Sequence, residues 1–269
     1  MDLGFTSETA VVTGGASGIG LACARALAAE GCRVAVWDVA PEVEMVAADL
    51  VREFGGDAVG LRVDVADFDA MRAAARDTEL RLGAVDLLVH AAAIGSGKFG
   101  FPFLNLAPAD WPRVLEVNVM GAVHVAHALV PGMMQRNRGA MVFLSSVAGQ
   151  IGSQTDPPYS ASKAANINFA QCLARDLAPA GIRVNVVSPG MVRSPLNQAV
   201  WRAWHAQQPL EQRLSYEEWG ARKLRATAPL GRWQQPEDIA KMVVFLLSRC
   251  AEQVTGQTIN VDGGQVMRG

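Results

Sequence analysis

The chain reads as an α/β protein, a doubly wound parallel sheet with helices on both faces. Three observations carry that reading. Short apolar runs without polar alternation recur along the chain, as expected of strands buried on both faces. Each run is followed by a longer helical stretch, and right-handed crossovers of that kind wrap both sides of a sheet. A glycine-rich turn, Thr13 to Gly20, joins the first run to the first helix.

The elements follow in order. Residues 10–12 form the first strand and 21–30 its helix; 34–37 form the second strand, ending in Asp38, before a helix over 41–54. A third strand at 58–63 precedes a helix at 67–82, and a fourth at 85–90 precedes a long helix from 108 to about 135. Strands at 140–144 and 183–187 bracket a helix at 159–178, and a helix at 236–248 leads to a last strand at 258–261. The stretch 194–227 breaks the rhythm. It has no strand signal and carries Trp201, Trp204, Tyr216 and Trp219 among charged residues, so it is read as a substrate lid. With no repeat, low-complexity tract or linker, residues 1–269 are taken as a single domain.

Composition excludes several classes. In 269 residues, 24 Lys and Arg face 26 Asp and Glu, a net charge of −2 that does not suit a nucleic-acid surface. Half of the residues are apolar, a globular balance. The four cysteines, Cys23, Cys32, Cys172 and Cys250, show no pairing or zinc spacing and read as buried thiols of a reducing compartment. No leader pattern is visible at the N-terminus, so a cytoplasmic location is expected. The uncharged stretch 117–135 contains Asn118, His124, His127 and Pro131, and reads as a buried helix rather than a membrane span. His90, His124, His127 and His205 form no plausible ligand set, so no metal is expected.

Two places carry chemistry. In the turn, Gly14, Ser17, Gly18, Ile19 and Gly20 let the backbone approach a pyrophosphate at a helix N-terminus. At the end of the second strand, Asp38 suits the two hydroxyls of an adenosine ribose and repels a 2′-phosphate. Neither Ser17 nor Val39 is basic, and Arg33 lies at the far end of that strand. NAD is therefore the expected cofactor. Asp64, with Val65, either holds the adenine or caps the next helix. The second place is Tyr159-Ser160-Ala161-Ser162-Lys163. Residues i and i+4 share a helix face, and an ammonium beside a phenol favours the phenolate.

These motifs resemble those of the short-chain dehydrogenases/reductases in their compact single-domain form. The cofactor turn is matched by Thr13 to Gly20, the Tyr-x-x-x-Lys by Tyr159 and Lys163, the catalytic serine by Ser146, and the helical asparagine by Asn118. The nicotinamide loop is resembled by Ser188 to Ser194, with Pro189, Gly190 and Val192, and with Ser194 where threonine is usual. The resemblance runs from about Thr9 to Gly264. It implies a Rossmann-type sheet of seven strands in the order 3-2-1-4-5-6-7, with a helical lid. One departure is Val89-His90-Ala91-Ala92-Ala93, where the family usually has Asn-Asn-Ala-Gly. His90 either replaces the asparagine's hydrogen bond or marks a weakened cofactor site; His90 and Ala92 are retained as cofactor contacts. Asp156 either faces substrate or stands in solvent.

The implied reaction is hydride transfer between a nicotinamide and a secondary alcohol or ketone. Tyr159 is the acid/base. Lys163 lowers its pKa and holds the ribose, Ser146 polarises the substrate oxygen, and Asn118 fixes a water. A sugar, polyol or cyclic alcohol is the expected substrate; the lid tryptophans would stack on a sugar face or cover an apolar ring. Residues 95–101 offer a mobile second wall, or else bury their phenylalanines in the core. The alternatives are a 3-oxoacyl thioester reductase and a non-catalytic dinucleotide-binding sensor. Family members commonly pair the helices that hold Asn118 and Tyr159, so a homotetramer is expected, with Ala161, Ala164, Ala165 and Ala170 on the paired surface.

Overall fold

The computed structural model describes residues 3–5, 8–152 and 155–267. Seven parallel strands make one sheet: β1 (Thr9–Thr13), β2 (Arg33–Asp38), β3 (Ala58–Arg62), β4 (Val85–His90), β5 (Gly139–Leu144), β6 (Ile182–Pro189) and β7 (Thr258–Val261). Their order is β3-β2-β1-β4-β5-β6-β7, as expected. The winding direction reverses between β1 and β4, and in such sheets ligands bind beyond the carboxyl ends of the strands at that point.

Helices α1 (Gly18–Ala29), α2 (Val43–Phe54) and α3 (Phe68–Leu82) cross between the first four strands. Their ends have local causes. Asp67 caps α3 by accepting the Ala70 N–H at 2.9 Å, and Gly83 ends it at φ +85°. Every side chain of β1 is buried. One core layer gathers Leu27, Val36, Val89 and Val244; the other gathers Leu88, Met133, Phe143 and Val186. Trp37 is fully buried in β2 because its indole N–H donates to Thr78 Oγ1 at 3.1 Å.

The long helix expected from 108 to 135 is broken. A 3₁₀ turn (Pro108–Asp110), a short α4 (Pro112–Leu115) and a π-helical turn (Glu116–Met120) precede α5 (Gly121–Arg136). This run has the length and composition of a membrane-crossing helix, yet its inner residues Val117, Ala122, Val125, Leu129 and Met133 pack on the sheet. The π turn holds the fully buried Asn118; wide turns of this kind are frequent at functional sites. After β5 comes α6 (Pro157–Leu177). The stretch read as a lid forms α7 (Pro195–Ala206) and α8 (Tyr216–Thr227), and α9 (Pro236–Leu247) packs beside α1.

Two surface expectations are corrected. Cys23 and Cys32 are buried, but Cys172 and Cys250 are exposed, because their helical positions face away from the sheet. On α6, Ala161 and Ala164 are exposed and Ala165 half-buried, while Ala170 is 1% exposed and packs inward.

Candidate active site

A cleft of about 400 Å³ opens at the carboxyl ends of the strands and is lined by the glycine-rich turn. Gly14 adopts φ +66°, and a Cβ there would come within 2.7 Å of the Ala92 backbone. At Gly20 a Cβ would meet the Gly14 carbonyl at 2.0 Å. The turn therefore closes only with glycine. Ser17, the residue before α1, makes no capping bond with its side chain, and no acidic residue occupies the first turn of α1. Gly18 and Ile19 line the cleft in the first turn of α1, where backbone N–H groups lack intrahelical partners and suit an anion. Asp38 lines the same wall. Its two oxygens accept the Ala16 and Ala40 N–H groups at 2.9 and 3.0 Å, which fixes the carboxylate and leaves lone pairs for ribose hydroxyls. These features fit a dinucleotide.

Asp64 and Val65 also line this cleft. Capping of α3 falls to Asp67, so that alternative for Asp64 is removed. Asp64 instead accepts the Ala66 N–H and pairs with Arg113 at 2.8 Å. Burial pulls its carboxyl up, but the Ala66 N–H and the Arg113 guanidinium outweigh burial and hold it below the usual range. Two cations escaped the sequence reading. Arg113 lies on the cleft wall. Arg62 stands opposite Asp38 in the β2–β3 register and donates to the Val39 carbonyl at 3.0 Å. It is outside the cleft lining, and no ion pair joins it to Asp38 among the described residues.

His90 is corrected as a cofactor contact: it is fully buried, while Ala92 beside it reaches the cleft. The Thr13 hydroxyl accepts the Ala92 N–H at 3.3 Å and lies 2.9 Å from His90 Nδ1. The other ring nitrogen, Nε2, has no hydrogen-bond partner. Burial, with the nearby Lys163 charge, pulls the imidazole down to about 3, so it stays neutral. His90 therefore braces β1 against β4, as the expected substitute for an asparagine.

Tyr159 and Lys163 lie one turn apart on α6 and both reach the cleft. Burial pushes the phenol up to about 12, against the pull of the Ser146 hydroxyl and with a further push from Asp156. The expected lowering by Lys163 does not appear in this geometry. The ammonium donates to the Leu144 carbonyl at 2.7 Å and sits 5.5 Å from the centre of the phenol ring, so burial dominates at Tyr159. Burial also draws Lys163 down to about 8. Ser146 follows β5, and its Oγ accepts the Ala148 N–H at 3.1 Å. Asn118 spends its side chain on Ile94 N at 2.8 Å, Ile94 O at 2.9 Å and Ser162 Oγ at 2.9 Å. It thus clamps the segment after β4 to α6 and acts on the site as a positioning residue.

A second cleft of about 300 Å³ meets the first at Tyr159 and Ser194. Ser146, Pro189, Gly190 and Val192 line this one rather than the first. Ser194 caps α7 by accepting the Asn197 N–H at 3.2 Å. Asp156 is 6% exposed, faces this cleft and accepts the Ser96 N–H at 2.8 Å, so it does not stand in solvent. Of the second wall, Gly95 lines the cleft but Phe101 is 52% exposed, so it is not core. The lid tryptophans are corrected too. None lines the cleft. Trp201, Trp204 and Trp219 gather with Tyr216 and with Trp233 beyond α8 into a small separate core, their rings in edge, tilted and stacked contacts. Asn197 and Lys223 face the cleft instead.

A dinucleotide cleft meeting a second cleft at a buried Tyr-Lys pair defines a nicotinamide-dependent oxidoreductase of CH–OH groups. The chain belongs to the short-chain dehydrogenase/reductase family: residues 14–265 match the family model described as enoyl-(acyl carrier protein) reductase. It is 36% identical over 260 residues to the cis-4-hydroxycyclohexanecarboxylate dehydrogenase of Sinomonas cyclohexanicum, covering 97% of each chain. Among solved structures, L-sorbose reductase from Gluconobacter frateurii, complexed with NADPH and L-sorbose, matches at TM-score 0.90 and 30% identity over 100% of both chains. A 3-oxoacyl-[acyl-carrier protein] reductase from Brucella melitensis with bound NAD matches at TM-score 0.84 and 33% identity, covering 99% of this chain and 94% of that one.

Proposed function

We propose that the chain interconverts a small cyclic or polyhydroxylated secondary alcohol and its ketone, using NAD, with Tyr159 as acid/base. The carrying observation is the position of Tyr159, where the two clefts meet between Ser146 and Lys163. When bound, the dinucleotide supplies the nicotinamide ring that takes or gives the hydride. Tyr159 as the phenolate takes the hydroxyl proton in oxidation and returns it in reduction; burial opposes that phenolate, and the positive charge of the oxidised nicotinamide, when bound, would favour it. Ser146 donates to the substrate oxygen and steadies its developing charge. Lys163, anchored on the Leu144 carbonyl, would hold the nicotinamide ribose when the dinucleotide is bound. Glycines at 14, 18 and 20, with Ser17 and Ile19, would hold the phosphates; Asp64, Val65 and Ala92 would hold the adenosine and ribose; Pro189, Gly190, Val192 and Ser194 would hold the nicotinamide.

The substrate class follows from the small second cleft and from the relative that acts on a hydroxycyclohexanecarboxylate. A 3-oxoacyl thioester reductase is the second reading, kept because the Brucella enzyme is one and holds NAD; a preference for NAD does not argue against it. Free thiols, two of them exposed, suit a reducing cytoplasm. Exposed Leu115 and Met120, beside the small residues Ala161 and Ala164 of α6, suit a homotetramer built on these faces.

Cofactor choice rests on Asp38. Its carboxylate accepts bonds from a ribose 2′-hydroxyl and repels a 2′-phosphate, a difference of about a hundredfold or more. Arg62 is turned to the Val39 carbonyl and does not offset that repulsion. The test is kcat/KM for a panel of cyclic alcohols, sugars and 3-hydroxyacyl thioesters with NAD and with NADP. NAD should win on a cyclic alcohol or sugar, and the Asp38→Ser/Val39→Arg double substitution should narrow or invert the ratio. Equal values for both cofactors, or turnover of thioesters alone, would remove this reading.

A further inference from the structure

One cation on the substrate-side cleft has no part in the chemistry above. Lys223 stands on α8, one helical turn after Trp219. Its Nζ lies 4.6 Å from the centre of the Trp219 ring and 3.5 Å from Thr155 Oγ1. The side chain is half-buried, and burial draws its pKa below the ordinary lysine value. A lysine with no ligand to bind keeps its head in water. Here the head is turned inward, over a ring that is itself 4% exposed and so fixed in place.

No carboxylate among the described residues pairs with this ammonium. Of the acids nearest on α8, Glu217 is held by Arg193 at 2.7 Å and Glu218 by Ser215 at 2.7 Å. Asp156 is the acid on this cleft; its Oδ2 accepts the Ser96 N–H, its Oδ1 has no hydrogen-bond partner, and no ion pair joins it to Lys223 among the described residues. The cation–π contact steadies the ammonium without using its hydrogen-bond donors. A partly desolvated cation with spare donors and no ion-pair partner is costly unless an anion reaches it.

We propose that Lys223 is the specificity-determining residue that binds a carboxylate of the substrate, which makes the substrate a small hydroxy acid. The inference rests on the dehydrogenase reading for its chemistry: the hydroxyl meets Ser146 and Tyr159, and the carboxylate meets Lys223 in the same cleft. Asp156 repels an anion from the reacting end, so the acid is turned with its carboxylate toward α8. One cation matches one carboxylate. A neutral sugar would leave the ammonium unpaired, and a cleft of about 300 Å³ is at the small end for ligand sites.

Calorimetry on the NAD-saturated protein tests this with two unreactive probes, cyclohexanecarboxylate and cyclohexanecarboxamide. The acid should bind at least about tenfold tighter than the amide, the size of one charge-assisted bond. Lys223→Met should erase that preference and Lys223→Arg should keep it. Alongside, the ratio of kcat/KM for 4-hydroxycyclohexanecarboxylate over its carboxamide should fall by about tenfold or more in Lys223→Met. Equal binding of acid and amide by the unmodified protein overturns the proposal whether or not the variants fold, as does a preference that survives Lys223→Met. Turnover of neutral cyclic alcohols without acid preference removes the anion site and leaves the dehydrogenase reading standing. Acid preference without turnover of any alcohol does the reverse.

Discussion

Tyr159, Lys163, Ser146 and Asn118 were legible because each stands in a spaced motif, and the fold brings all four to one place. What each does there was less legible. Asn118 touches Ile94 and Ser162, and Lys163 donates to Leu144; all three partners lie on other elements of the chain, so no local pattern announces them. Arg62 escaped for the same reason, since it meets the neighbourhood of Asp38 only through strand register. His90 gives the clearest residue-scale prediction. The fold holds its imidazole at about 3, whereas the unfolded chain binds a proton near pH 6.5. A base with a depressed folded value loses stability as pH falls through that window, because the unfolded state takes up the proton. The loss amounts to at most about 1.4 kcal/mol per pH unit. Thermal melting of His90→Asn should therefore fall less than that of the unmodified protein between about pH 7 and about pH 4.5. Identical losses would show that His90 does not carry the acid sensitivity.

At the scale of elements, all seven strands were legible from apolar runs, with ends displaced by a residue or two. The π turn at Glu116–Met120 was not, because one extra residue in a helical turn leaves no mark on composition. The stretch 194–227 is helical and holds no strand, as expected, but its tryptophans turn away from the cleft. The signal was present: Trp201 and Trp204, like Tyr216 and Trp219, are spaced i and i+3, which puts each pair on one helix face and favours helix-to-helix packing. Gly220 completes that packing, since a Cβ there would meet the Trp233 ring at 2.0 Å. Because this core lies apart from the two layers on the sheet, the lid should loosen by itself. Trp219→Ala removes a large buried ring, a change that typically costs about 3–5 kcal/mol. Native-state hydrogen exchange should then quicken across α7 and α8 and leave β5 and α9 unchanged. Quickening that reached the central strands would mean that lid and sheet open together.

The whole molecule combines a sheet legible from end to end with surfaces that one chain leaves open. Leu115 and Met120 are exposed on turns that pack beside α6, and the proposed tetramer would cover them. Sedimentation at micromolar concentration should show a multiple of the 28.6 kDa chain; that mass alone would contradict the tetramer. Both clefts converge on a single hydroxyl, and there the account is most exposed to test. If Tyr159 moves the proton, Tyr159→Phe should lower kcat for alcohol oxidation by about 10²–10⁴. Cofactor binding should persist, because the glycine turn and Asp38 are untouched. The decisive measurement is kcat of Tyr159→Phe, taken with NAD affinity on the same preparation. Loss of turnover with affinity retained is the predicted result, and turnover close to that of the unmodified protein would contradict the mechanism.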